Sequence, residues 1–287
     1  MPQPRWQTTL FAAIALLTVI AATATRFDLR FQILLLAPLV AVLGLPHGGL
    51  DLAIAEALWR LDGWRGKLSF AFAYLGLAAV VIALWLALPA LALPAFLAYS
   101  MLHFSEDWQG AAGPLRWTGG VATVAAPAVA HRGEVAELFG YLAPASAAGP
   151  ATDVLAVAGV AALVALFAAV VLSRPCRGQA AVEQSVLWIA ALALQPLIYF
   201  TVYFCALHSI RHFGATLLSM DGRRRALITA AGLSALVIAG AGLVVIYLQA
   251  RHTVTLDETL FRVIFIGLAA LTVPHMILVD RFRRRHV

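Results

Sequence analysis

Long apolar runs, separated by short polar and basic turns, dominate the chain. Stretches at 8–24, 31–59, 68–88, 95–108, 154–172, 185–218, 226–248 and 260–279 each read as a membrane helix, since about 20 apolar residues cross a bilayer. The pattern predicts an all-α, polytopic integral membrane helix bundle of about eight transmembrane helices in a single domain over 1–287. Two stretches are longer than a crossing needs. The 31–59 stretch holds a Gly44-Leu45-Pro46-His47-Gly48-Gly49 cluster expected to kink it, and 185–218 contains Pro196. Pro89 and Pro94 are expected to frame the turn before 95–108. The region 109–153 is weaker. Its small-residue run at 119–130 is short for a span, and Glu134 and Glu137 alternate with Val135, Leu138 and Leu142 as on an interfacial helix. We expect it to be an interfacial or re-entrant segment.

Composition agrees with the pattern. Hydrophobic residues make up 62% of the chain and charged ones 12%, against about 25% charged in a soluble domain. The net charge of +6 does not indicate nucleic acid, because the basic residues gather at span ends: Arg5, Arg60, Arg65 and Lys67, then Arg223–Arg225 and Arg281–Arg285. The positive-inside rule then places both termini in the cytoplasm of a multi-pass cell-membrane protein. Cys176 and Cys205 show neither disulfide nor metal-ligand spacing.

Histidines inside such runs call for partners. His208 and His212 are four residues apart, hence on one helical face. His47 and His103 each precede the next basic residue, Arg60 and Arg116, by 13 positions, His212 precedes Arg223 by 11, and His275 precedes Arg281 by six. With eight spans all of them fall at one depth, as a shared site requires. Imidazole suits iron, zinc, copper or nickel. Asp51 and Asp107 follow His47 and His103 by four residues, placed to orient ligands and offset an ion's charge. Phe104, Trp108, Tyr199, Tyr203 and Phe204 stand near these histidines in sequence and, with His275, are candidates to line an apolar slot. His131, His252 and His286 fall in loops or the tail and read as surface residues.

Together, Pro46-His47-Gly48-Gly49-Leu50-Asp51, His103-Phe104 with Asp107, His208-Ser209-Ile210-Arg211-His212 and Pro274-His275 resemble the Brp/Blh family of membrane β-carotene 15,15′-dioxygenases. The resemblance runs from the second span to the last, departing at Ser105, where relatives carry glycine. It implies an Fe2+ enzyme that splits β-carotene with O2 into two retinal molecules, destined for a microbial rhodopsin. It further implies His47, His103, His208 and His212 as iron ligands. The competing class is a metal-ion or proton transporter using the same His/Asp cluster. Such a protein would carry polar residues to both faces and repeat symmetry, and neither is evident. Desaturase-type enzymes use more histidine boxes than the single HxxxH here, and a haem protein would need only two of the four histidines.

Overall fold

The computed structural model describes residues 3–59, 61, 63–220, 222–251 and 254–286; Arg60 and His252 lie outside them, and only the backbone of His286 is described. Among the described residues every regular element is helical. In chain order these are α1 (Arg5–Ala24), α2 (Leu29–Leu39), α3 (Leu45–Gly49), α4 (Asp51–Trp59), α5 (Gly63–Ala87), α6 (Pro89–Ser105) and α7 (Leu115–Ala130). There follow α8 (Arg132–Gly140), α9 (Ala145–Leu172), α10 (Gln179–Ala193), α11 (Pro196–Tyr203), α12 (Ser209–Leu218), α13 (Arg223–Ala250) and α14 (Leu256–His286). Six helical stretches among the described residues are long and apolar enough to cross a membrane: Arg5–Ala24, Leu29–Trp59, Gly63–Ala87, Ala145–Leu172, Arg223–Ala250 and Leu256–Phe282. Their outward faces are apolar; Phe72, Leu86 and Leu172 are all exposed. Water would penalise such surface and lipid would not.

The two expected spans that fail this length test are those carrying His103 and His208. Pro89 opens α6 and Pro94 lies inside it, so the prolines do not frame a turn. The helix ends after 17 residues in a 3₁₀ turn, Glu106–Trp108. The 185–218 stretch is broken ahead of Pro196. Leu194 and Gln195 are extended, with ψ of 147° and 146°, because a residue before proline is driven out of the α region. The Gln195 side chain bridges this break to Phe27, accepting from its N–H and donating to its carbonyl, both at 2.9 Å.

Two further irregularities are π turns, Val40–Gly44 and Phe204–His208. The first lies directly upstream of Pro46. Proline offers no N–H to the carbonyl of Val42 and its ring crowds that oxygen, so a wider turn relieves the clash. The kink expected at the Gly-Pro cluster is thus a π turn just before it.

The chain divides into two compact units. The first comprises the residues up to Leu36 and Pro89–Arg211. In it α7 packs against α6, α9 and α10, and α1 packs against α10 and α11. Small residues allow this closeness: Gly119, Gly120, Ala122, Ala125 and Ala126 are all buried. A Cβ at Gly120 would meet Ser105 Cα at 2.8 Å. Within 109–153, therefore, Leu115–Ala130 is a packed helix, while Arg132–Gly140 buries only Val135. The second unit comprises Ala37–Leu88 and the chain from His212 onward, with α14 against α4 and α5 and α13 against α3 and α14. A Cβ on Gly49 would lie 2.8 Å from the Ala230 carbonyl oxygen, so glycine is what admits α13 to the PHGG turn. The division between the units falls inside α12, between Arg211 and His212.

Candidate metal centre

In the first unit, His103 on α6 and His208 at the end of its π turn meet edge to face, with ring centroids 4.7 Å apart. Both are buried. Asp107, on the 3₁₀ turn after α6, faces His208 Nδ1 at 3.1 Å. An ionised carboxylate only accepts, so Nδ1 carries the proton and Nε2 carries the lone pair. Tyr203 donates its hydroxyl to the same carboxylate. Asp107 and His208 also place donor atoms within 4.8 Å of each other, as ligands of one ion must be. Expected from spacing to orient His103 on its own helix, Asp107 holds His208, which another helical stretch supplies.

Phe104 stands edge-on to His208, with centroids 4.9 Å apart, and Phe204 stacks on it at 5.4 Å. The other aromatic candidates hold the framework through their polar ends. Tyr199 donates to the Thr123 carbonyl of α7 at 3.1 Å, and the Trp108 indole N–H donates to Glu183 at 3.0 Å.

The second unit repeats the motif. Asp51 Oδ1 lies 2.7 Å from His275 Nδ1, and Tyr74 donates its hydroxyl to Asp51 Oδ2 at 2.8 Å. His275 meets His47 edge to face, with centroids 5.4 Å apart, and the His47–His212 rings are 6.5 Å apart. Asp51, like Asp107, holds a histidine from another helix. Tyr74 also lines an apolar cleft of about 370 Å³ with Phe70, Leu77, Pro274 and Ile277.

Three of these residues sit at or just after a helix irregularity: His47 three residues past a π turn, His208 at the end of another, and Asp107 on a 3₁₀ turn. Broken helices at membrane depth are tolerated where neighbours re-satisfy the backbone, and π turns concentrate at functional sites. His208 and His212 remain four residues apart on unbroken helical backbone.

Sequence reasoning missed Glu183 and Arg211. Both are buried, and they pair at 2.7 Å. Arg211 also donates to the Asp107 carbonyl at 2.7 Å. Glu183 accepts from Thr8, Gln179 and Trp108 besides. The available signal was the presence of ionisable residues within apolar helices, which mark function or a demanding structural pairing.

Buried imidazoles whose Nδ1 is held by a carboxylate have the arrangement typical of histidine metal ligands, so the fold and its donor groups define a helical protein of membrane type with a candidate histidine–carboxylate metal site. Residues 38–283 match the family described as beta-carotene 15,15'-dioxygenase. The chain is 34% identical over 269 residues to the beta-carotene 15,15'-dioxygenase of an uncultured marine bacterium, 66A03, covering 86% of this chain and 93% of the relative. The chain belongs to the β-carotene 15,15′-dioxygenase family. No solved structure matches it. Membership leaves the transporter alternative without support.

Proposed function

We propose that the chain is a single transmembrane domain that cleaves β-carotene at its central 15,15′ double bond, using O2 and Fe2+. The carbon–carbon double bond breaks and each carbon gains one oxygen atom of O2, giving two retinal molecules. The observation that carries the reading is the buried His208–Asp107 pair at a π turn, in a chain that belongs to this family.

His47, His103, His208 and His212 are the proposed metal ligands. Neutral imidazoles suit Fe2+, and buried carboxylates offset its charge where the surroundings are apolar. When bound, iron supplies the redox centre for activating O2. The residues themselves bind, orient and exclude water. Asp107 fixes the His208 tautomer and ring plane, and Tyr203 fixes Asp107. Phe104 and Phe204 present aromatic surface beside His208, suited to a conjugated chain, and Trp108, Tyr199 and Tyr203 back that wall. The apolar lining of the cleft beside Tyr74 also fits hydrocarbon. A carotenoid dissolved in lipid reaches such a protein through the bilayer, and the retinal formed is soluble there for transfer to a rhodopsin-type acceptor. We place the protein in the cell membrane with both termini cytoplasmic.

Expression in β-carotene-producing cells tests the reading. The wild-type chain bleaches the cells and accumulates retinal, whereas His208→Ala does neither. Retinal formation undiminished in His208→Ala would reject the ligand assignment, and intact carotene with the wild type would reject the activity.

A further inference from the structure

The two units carry the same four-residue arrangement. In the first, His103 meets His208 edge to face, and the Nδ1 of His208 is held by Asp107, itself fixed by the Tyr203 hydroxyl. In the second, His47 meets His275 with an interplanar angle of 73°, close to the 76° of the first pair. The Nδ1 of His275 is held by Asp51, itself fixed by the Tyr74 hydroxyl. We propose that His275 is a metal ligand through Nε2, the counterpart in the second unit of His208 in the first, with Asp51 and Tyr74 as its positioning residues. The inference rests on the metal-dependent reading above and adds to its ligand set.

Three observations carry it. A histidine that only packs between helices has no need of a buried carboxylate. Burying one next to the imidazole is costly unless its hydrogen bonds are satisfied, and here His275 and Tyr74 satisfy two of them. The carboxylate accepts from Nδ1–H, which puts the lone pair on Nε2, the tautomer that ligation needs. His275 also lies nearer to His47 than His212 does, at 5.4 against 6.5 Å between ring centroids.

The test measures metal binding directly on the full-length chain in detergent. Chelator-stripped wild type, His275→Ala, His275→Gln, Asp51→Asn and His208→Ala are titrated anaerobically with Fe2+ against a chromophoric competitor. Each is also titrated with Co2+, whose d–d spectrum reports the ligand field. Loss of a ligand is expected to weaken Fe2+ binding by about 100-fold or more in His275→Ala, His275→Gln and His208→Ala. For the positioning change Asp51→Asn the expected loss is about 10–100-fold. Exogenous imidazole is expected to restore the Co2+ spectrum of His275→Ala. His275→Gln with wild-type affinity and spectrum would overturn the proposal. If His208→Ala alone loses metal, His275 is not a ligand and the proposed function stands. If every variant keeps wild-type affinity, both fall. Should His275→Ala fail to fold, His275→Gln and Asp51→Asn decide the matter.

Discussion

Replacing Glu183 by glutamine removes one charge from a pair buried on both sides, Glu183 and Arg211 being 2% and 3% exposed. The carboxylate accepts from Arg211 at 2.7 Å, Thr8 at 2.5 Å, Trp108 at 3.0 Å and Gln179 at 3.1 Å. The glutamine amide keeps the shape, brings donors where donors already point, and leaves the guanidinium buried without its counter-charge. Breaking a buried pair in this way costs about 3–5 kcal/mol. At roughly 2–4 °C per kcal/mol for a chain of this size, the melting temperature should fall by about 6–20 °C. Tryptophan fluorescence during heating in detergent measures it, and Trp108, bonded to the altered residue, lies at the affected point. The damage should extend to metal binding, because Arg211 also holds the Asp107 carbonyl. Adding Arg211→Met to Glu183→Gln removes the orphaned charge and should recover much of the lost stability. A single Glu183→Gln variant melting within about 2 °C of wild type would refute the argument, as would a double variant no more stable than the single.

Gly120→Ala should destabilise the first unit by about 1–3 kcal/mol through overpacking, since the new methyl would lie 2.7 Å from Ser105 Cβ; a wild-type melting curve would show that α6 and α7 can part freely. Tyr203→Phe keeps the ring against Phe104 but deletes the hydroxyl on Asp107. It should fold normally and bind Fe2+ about 10-fold more weakly, and chelator competition giving wild-type affinity would remove Tyr203 from the support of Asp107.

The spans 8–24, 68–88, 154–172, 226–248 and 260–279 were legible because each is a continuous apolar run, and each lies within a helix of the structure save for Leu88, one residue past the end of α5. The histidine-bearing helices were harder to delimit. Hydropathy averages over a whole stretch, whereas α6 and the Pro196 region are governed by single prolines and by one or two backbone angles. Spacing showed that Asp51 and Asp107 belong with histidines. It did not show that each also reaches a histidine on another helix, because an i,i+4 rule sees one helix alone. Glu183 and Arg211, 28 positions apart, acquire their meaning only when α10 and the start of α12 are packed together.

A turn closed by i→i+5 bonds holds one residue more than its α counterpart. The five residues Phe204–His208 therefore set the angular phase between Tyr203 on one side and everything after His208 on the other. Deleting a single residue there, Cys205 for example, would let that turn close as a regular α turn, with the side chains after it keeping nearly their place. Deleting one residue from the regular winding on either side has no such slack: later side chains would swing by about 100° around the axis and shift by about 1.5 Å along it. Every histidine would still be present, with hydropathy and charge unchanged, yet the imidazoles would face a different quadrant. The π turn is thus the one point in this stretch where chain length can change by a residue without turning the histidines, and a gap in a relative is tolerable there and costly on either side of it.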